Sequence, residues 1–390
     1  MDVDVPIQSE DYALTRKLQW LALLLTPGVG AGRARKLIEH FGEIGRIFAA
    51  SLTELEAFGL PAVAAQGIGL GKSLELASEE YDHAREFGAS LLVPGDAEYP
   101  KRLLEIYDPP LALYLKGNAE VLDKSGVSVI GTRHPTPYGV SMAERLACDL
   151  AAHGLIIFSG MARGIDTAAH RGALNAHGQT VAIWGTGIDE VYPKENRKIA
   201  DQILETGGAI ITEFPLGTFP APQNFPVRNR IISGISLGTL VIEAAEYSGT
   251  RVTARCALEQ GREVFAVPGN VTNKNSWGPN TLIKQGAALV ATWEDVWEEL
   301  PADVRLALTP PEQPASEGAA PASLFDRAQL PPSEKRVLSL LKVDESTHID
   351  QIVERLNAFL SSSEIFEALF ELELSSRIRA LPGKYYVKTM

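Results

Sequence analysis

The sequence is short of three things. It holds two cysteines in 390 residues, Cys148 and Cys256, both in segments that read as helices and neither with a neighbour at metal-ligand spacing. A disulfide framework and a zinc site are thereby excluded as organising devices, and each thiol reads as a small buried apolar group. No run approaches the eighteen apolar residues that a membrane span needs, and the acidic start MDVDVPIQSE lacks the basic-then-apolar layout of a secretory leader. The expected location is the cytoplasm, with no membrane partner. Positive charge is scarce as well: 36 lysines and arginines stand against 49 aspartates and glutamates, for a formal net charge of -13. A protein that neutralises a polyanion over a broad surface usually carries a basic domain, so an anion site here has to be local, and a negative exterior confines its ligand to one groove.

Several catalytic signatures are missing too. After the first β-rich run the chain reads GTRHPTPYG, which is not the GxGxxG of a dinucleotide-dependent dehydrogenase, and no GxxxxGK[ST] supports ATP hydrolysis. Ser159 lies outside any GxSxG nucleophile elbow. Asp166 and His170, one turn apart in GIDTAAHRGAL, have the residue types of an acid and a base, but at a helix start they read first as a local stabilising pair. No catalytic set, cofactor or metal site is expected, and the chemistry reads as binding without turnover.

What is present has a clear order. A chain of this length divides into two or three domains. Residues 1–90 carry helical periodicity in YALTRKLQWLALLL and RARKLIEHFG around the breaker TPGVGAG, and they read as a helical domain. Residues 91–118, with several prolines, read as a connecting lead-in. From about residue 126 the runs VSVIG, LIIFSG, TVAIWG, AIITEF, TLVIEA, EVFAVPG and ALVAT recur at βαβ spacing. Their continuous apolar character means strands buried on both faces. Residues 91–300 therefore predict an α/β domain, an extended Rossmann-like, doubly wound parallel sheet. Residues 301–327, rich in Pro, Ala, Ser and Glu, predict a linker. Residues 328–390 predict three helices and two short strands, a winged-helix layout.

In an open parallel sheet the ligand crevice lies outside the carboxyl ends of the strands. Gly131, Thr132 and Arg133 follow the first run; Ser159, Gly160, Arg163 and Gly164 close the second; Phe225, Arg228, Asn229 and Arg230 follow the fourth; Ser248, Gly249, Thr250 and Arg251 follow the fifth. Small residues let backbone approach a ligand, helix starts supply amide donors, and arginines supply forked cations, so the set reads as a phosphate-binding rim. Phe225 is open to two readings, a stacking face for a base or a core residue that pins its loop.

The runs VSVIGTR, FSGMARGIDTAAHRGAL, TVAIWGTGIDEVYPKEN, FPVRNRIISGIS, SGTRVTARCALEQGREVFAVPG and GPNTLIKQGA resemble the successive signatures of the DNA processing protein A family (DprA/Smf). The resemblance implies a bacterial single-stranded DNA binder that receives incoming DNA in natural transformation and loads the RecA recombinase. It implies a homodimer through the sheet domain and no established catalytic activity. By motif, Arg133, then Ser159, Gly160, Arg163 and Gly164, and Arg228 to Arg230 correspond to the strand-binding pocket, which Ser248 to Thr250 close. The segment Asn280 to Val296 is the candidate for dimer and RecA contacts. PGVGAGRARKL resembles one helix-hairpin-helix element of the family's sterile-alpha-motif-like N-terminal domain, with a degenerate second copy at PAVAAQGIG. The winged helix resembles the family's accessory domain, but its third helix, SSSEIFEALFELEL, is acidic where a duplex reader is basic, which favours a protein contact or an auxiliary role.

Two enzyme readings compete. Nucleotide phosphoribohydrolases share the superfamily shape; here SLGTLVIEAAEYSGTRVTA keeps Gly238-Thr239 and Glu243 but lacks their double glycine. A metal-dependent nuclease needs clustered carboxylates, and Asp166, Glu213 and Glu243 sit among arginines that compensate them.

Overall fold

The computed structural model describes residues 7–308, 331–342, 345–357, 359–374 and 377–388. Six helices come first: α1 (Ile7–Leu25), α2 (Ala31–Phe41), α3 (Ile44–Ala49), α4 (Leu52–Ala57), α5 (Ala62–Gly69) and α6 (Lys72–Glu86). TPGVG turns the chain between α1 and α2, with Gly28 at φ 82, a left-handed conformation that glycine adopts without strain. In α1, Leu21, Ala22 and Leu23 are all fully buried. Three successive residues of a helix cannot share one face, and here they serve two cores. Leu23 packs with Leu37, Ile47 and Leu55 inside the helical hairpins, whereas Leu21 and Ala22 join Leu91, Tyr114, Trp184 and Ile203 against the sheet.

The sheet has nine strands. Seven of them fall on the seven expected runs, β3 and β7 starting one residue earlier: β3 (Gly126–Ile130), β4 (Ile156–Ser159), β5 (Thr180–Ile183), β6 (Ala209–Thr212), β7 (Gly238–Val241), β8 (Glu263–Ala266) and β9 (Ala288–Leu289). The other two are β1 (Ser90–Leu92) and β2 (Leu113–Gly117), with the short helix α7 (Lys101–Leu104) between them. They correct the reading of 91–118 as a plain connection. The order is β1-β2-β6-β5-β4-β3-β7-β8-β9, parallel from β6 to β9, with β1 and β2 added antiparallel at one edge. These two strands join antiparallel at the edge, among prolines and outside the βαβ spacing by which the other runs are recognised.

Helices cover both faces. On one side α8 (Pro137–Ala152) and α9 (Ile165–Asn175) pack over Val127, Val129, Ile157 and Phe265, with α14 (Trp293–Glu298) alongside. On the other, α11 (Asn224–Ile235) and α12 (Thr250–Glu259) pack over Ile130, Phe158 and Val241. The helices α10 (Arg197–Glu205) and α13 (Trp277–Lys284) complete the crossovers. Residues on both strand faces are buried, which is why the runs read as continuously apolar.

The expected linker begins differently. Ala302–Leu308 is a helix, α15, whose Val304 joins the α8–α9 core; residues 309–327 lie outside the described residues. The C-terminal unit comprises α16 (Pro332–Leu340), β10 (Thr347–His348), α17 (Ile349–Leu356), α18 (Ser362–Leu374), β11 (Ile378–Leu381) and β12 (Tyr385–Lys388). Its own core includes Val337, Ile352, Leu369 and Leu372. The hairpin of β11 and β12 reaches α8 through Arg379, whose Nη2 donates to Glu144 Oε2 at 2.9 Å.

Candidate nucleic-acid interface

The chain lays down β3, β4, β5 and β6 in one direction, then crosses back to place β7 on the other side of β3. This reversal opens a crevice at the carboxyl ends of β3 and β7, the usual place for a ligand in an open α/β sheet. A pocket of about 630 Å³ lies there. Gly131, Thr132, Arg133 and His134 line it after β3, and Ala245, Ser248, Gly249 and Thr250 line it after β7. From α11 come Phe225, Pro226, Arg228, Asn229 and Ile232, with Asp166 at the start of α9. A smaller recess beside it is lined by Gly160, Arg163 and Gly185, and shares Arg133, Ala162, Tyr192, Phe225 and Arg228 with the main pocket.

The arginine motif occupies α11, and helix geometry sorts it. At about 100° per residue, Phe225, Arg228, Asn229 and Ile232 fall on one stripe, and Arg230, two residues beyond Arg228, falls about 200° away from it. Arg230 is accordingly not on the rim. It is buried, its Nη2 donates to both oxygens of Glu213 at 2.7 and 2.8 Å, and its Nε donates to Asp108 Oδ2 at 2.9 Å. This corrects the expectation that both arginines wait for an external anion.

Arg228 does reach the pocket, but from below. It is 4% exposed; its Nη1 donates to the carbonyls of Gly160, at 2.7 Å, and Ile183, so it ties together the ends of β4 and β5. Burial pushes its pKa down to about 10, with Asp166 opposing the shift and the nearby Arg133 adding to it. Gly160 is required here, because a Cβ would lie 2.4 Å from the Arg228 guanidinium. Gly164 has φ 79, and a Cβ on it would stand 2.4 Å from the Thr132 carbonyl; it allows the loops after β3 and β4 to meet and does not line the pocket. Ser159 is a second correction. It is fully buried and its hydroxyl donates to the Val129 carbonyl at 2.6 Å, which stitches β4 to β3 and leaves nothing for a ligand.

Arg133 is the exposed arginine lining the main pocket. Its guanidinium carbon lies 5.2 Å from the centre of the Phe225 ring, within cation–π range. Phe225 is half-buried, 5.7 Å from the Tyr192 ring, and is seated on Gly185, where a Cβ would approach to 2.9 Å. Phe225 therefore packs against the loop after β5 and orients Arg133 over the crevice. Arg163 stands at the outer lip with its Nε on Glu195, and Arg251 lies beyond the pocket wall, 5.1 Å over Trp277. At the start of α12, the Ser248 hydroxyl meets Thr250 Oγ1 at 2.9 Å and accepts the Thr250 amide at 3.2 Å, and Ser248, Gly249 and Thr250 line the pocket.

The carboxylates are committed. Asp166 Oδ2 accepts the amides of Gly160 and Ala162 at 3.1 and 3.4 Å; burial lifts its pKa to about 6, against the pull of Arg228 and the amides. His170 does not pair with it. The Thr180 hydroxyl donates to the Ile157 carbonyl at 2.5 Å, so His170 Nδ1 at 2.8 Å is the donor to Thr180, and burial, helped by Arg228, pushes the imidazole down to about 3. Glu243 is 1% exposed and caps α8, accepting the Thr136 amide at 2.9 Å and hydroxyl at 2.5 Å. Among the described residues no group of three or more His, Cys, Asp or Glu is placed to hold a metal. Sequence reasoning missed Tyr192, Pro220, Pro222 and Thr253 as wall residues; Tyr192 stood in the quoted run VYPKEN, whereas the prolines gave no chemical signal.

A family model described as DNA recombination-mediator protein A matches residues 90–301, and one for the DprA winged helix domain matches residues 311–384. The chain belongs to the DNA recombination-mediator protein A family. Protein Smf of Escherichia coli strain K12 is 43% identical over 296 residues, which span 75% of this chain and 76% of that protein. The DNA processing protein DprA of Bacillus subtilis strain 168 is 41% identical over 218 residues, 56% of this chain and 73% of its own length. The X-ray structure of DNA processing protein A from Streptococcus pneumoniae superposes with a TM-score of 0.64 at 33% identity, covering 73% of this chain and 98% of that one. The family resemblance carried by the motifs is thus confirmed, and with it the parallel-dominated α/β fold.

Proposed function

We propose that this family member binds single-stranded DNA in the β3–β7 crevice and hands it to RecA during natural transformation in the cytoplasm, without chemical turnover. One observation carries the reading. Arg133, exposed and raised over the pocket by Phe225, faces a floor that already holds Arg228, so two cations converge on a pocket walled by glycines, hydroxyls and a helix start. Such a site gains most from a phosphate, and its half-apolar wall of Pro220, Pro222, Pro226 and Ile232 accommodates unpaired bases better than a duplex. The phosphoribohydrolase alternative loses its carboxylate, because Glu243 is committed to the start of α8. Homodimerisation through the Asn280–Val296 segment is supported by β9, an edge strand of the sheet whose Leu289 is half-exposed. We assign residues 1–90 to a helical accessory domain, 91–308 to the strand-binding domain with α15 packed on it, 309–327 to a linker and 328–390 to the winged helix.

The test is a titration with oligo-dT and with duplex of equal length. Single strand is expected to bind more tightly, and Arg133→Ala to weaken it while lowering the slope of log affinity against log salt by about 1. Equal affinity for duplex, or an Arg133→Ala protein that binds like the parent, overturns the reading.

A further inference from the structure

Beyond the pocket wall the loops after β7 and β8 form a ledge that continues from Ser248 to Thr250. They are locked together: the Ala244 amide donates to the Asn275 carbonyl at 2.7 Å and the Gly278 amide to the Ala244 carbonyl at 2.8 Å. A Cβ on Gly278 would stand 2.6 Å from that same carbonyl, so the close approach requires glycine. On this ledge Tyr247 is 91% exposed and Val271 88% exposed. Trp277 opens α13, and the Arg251 guanidinium lies 5.1 Å over its ring, steadied by donation from Nη1 to the Glu246 carbonyl at 2.7 Å. Tyr247 and Arg251 flank Ser248, Gly249 and Thr250, which line the pocket.

A tyrosine held almost fully in water, four residues before an arginine stacked on a tryptophan and on loops joined by backbone hydrogen bonds, is an aromatic surface with a cation close by in the chain. We propose that this ledge is a second subsite for the same single strand, in which Tyr247 stacks on an unpaired base leaving the pocket and Arg251 takes the adjoining phosphate. The occupant follows from continuity with the pocket and from charge. Ser248 to Thr250 connect the two surfaces directly, and the exposed cations Arg251 and Lys274 outnumber the one exposed carboxylate beside Tyr247, Glu246, which suits a phosphate backbone. Aromatic faces beside a cationic track hold bases irrespective of sequence. The inference rests on the reading of the pocket as a single-strand site.

The experiment compares oligo-dT of about 4 nucleotides, enough for the pocket, with one of about 16, at the two ends of the site sizes common for such proteins. Tyr247→Ala is expected to weaken the longer oligonucleotide about tenfold and leave the short one unchanged, with Tyr247→Phe binding as the parent does. Tryptophan emission is expected to fall on addition of the longer strand, and Trp277→Phe to remove most of that change. Because Tyr247 is exposed, an unchanged melting temperature verifies that each variant is folded. If Tyr247→Ala binds both lengths normally while Arg133→Ala weakens both, the ledge is overturned and the pocket stands. If the parent binds neither length, the pocket reading itself fails. A variant that loses self-association but keeps strand affinity makes the ledge a protein contact, and also overturns the proposal.

Discussion

Asp166 and Arg228 show how little residue type says about role before burial is known. Both face the crevice, yet each is already engaged, Asp166 by two amides and Arg228 by two carbonyls. Arg228 is thus a poor probe of binding, since its removal releases the ends of two strands, and Arg133 is the clean one. Asp166 carries a pH dependence. Its folded pKa of about 6 lies above the ordinary 3.8, so the group adds stability that is full below about pH 4 and lost as pH rises through about 6. In the same interval it gives up its proton and places a negative charge under the proposed phosphate site. Affinity for oligo-dT is therefore expected to rise as pH falls from 7 to 5, and Asp166→Asn to hold the higher affinity across the range. Both proteins are compared in a His134→Gln background, so that the rim imidazole contributes nothing; an Asn variant whose profile keeps the parent's slope refutes the assignment.

At the scale of elements, α11 separates what the sequence shows from what it hides. The seven strand runs are legible because both faces of each strand are buried, and the loops that follow them are legible because topology sends every carboxyl end to one edge. The motif FPVRNR was rightly placed at that edge, but as a loop it allowed both arginines to face the ligand. Only helical phase, which Pro226 and Gly234 obscure in the sequence, turns Arg230 toward Glu213 and Asp108. Ser159 was hidden in the same way, by a strand that ends one residue later than a loop reading assumes. The consequence is measurable. Arg230→Ala leaves Glu213 buried without its counter-charge, which costs about 3–5 kcal/mol of stability by urea unfolding. The variant, assayed cold where it remains folded, is expected to bind oligo-dT as the parent does. Replacing both partners, Arg230→Met with Glu213→Leu, is expected to restore most of the stability. A stable Arg230→Ala protein with weakened binding would return Arg230 to the rim.

For the whole molecule, the two ends of the chain relate to the sheet in different ways. The winged helix has its own core and meets α8 through Arg379 and Glu144, an ion pair whose arginine is 46% exposed and which is worth no more than about 1 kcal/mol. The N-terminal helices have no such independence. Leu21, Ala22, Ala77 and Ala84 share one apolar cluster with Leu91, Tyr114, Trp184 and Ile203. Glu80 of α6 accepts both the Tyr114 hydroxyl and the Leu216 amide at 2.8 Å, and Asp96 holds Arg16 and Lys17 at 2.5 and 3.2 Å. Sequence composition does not reveal this, because helical periodicity marks an apolar face without naming what covers it. Cutting the chain near residue 90 removes one wall of that cluster and exposes a sheet face, whereas cutting after residue 308 removes a separately packed unit. Residues 1–308 are accordingly expected to melt at the temperature of the main transition of the full chain. Residues 90–308 are expected to melt well below it, since each 1 kcal/mol lost lowers the midpoint by about 2–4 °C in a domain of this size, and to self-associate through the uncovered face. Calorimetry on the three proteins checks this directly; equal midpoints for the two shorter pieces would mean that the shared cluster contributes nothing to the stability of the strand-binding sheet.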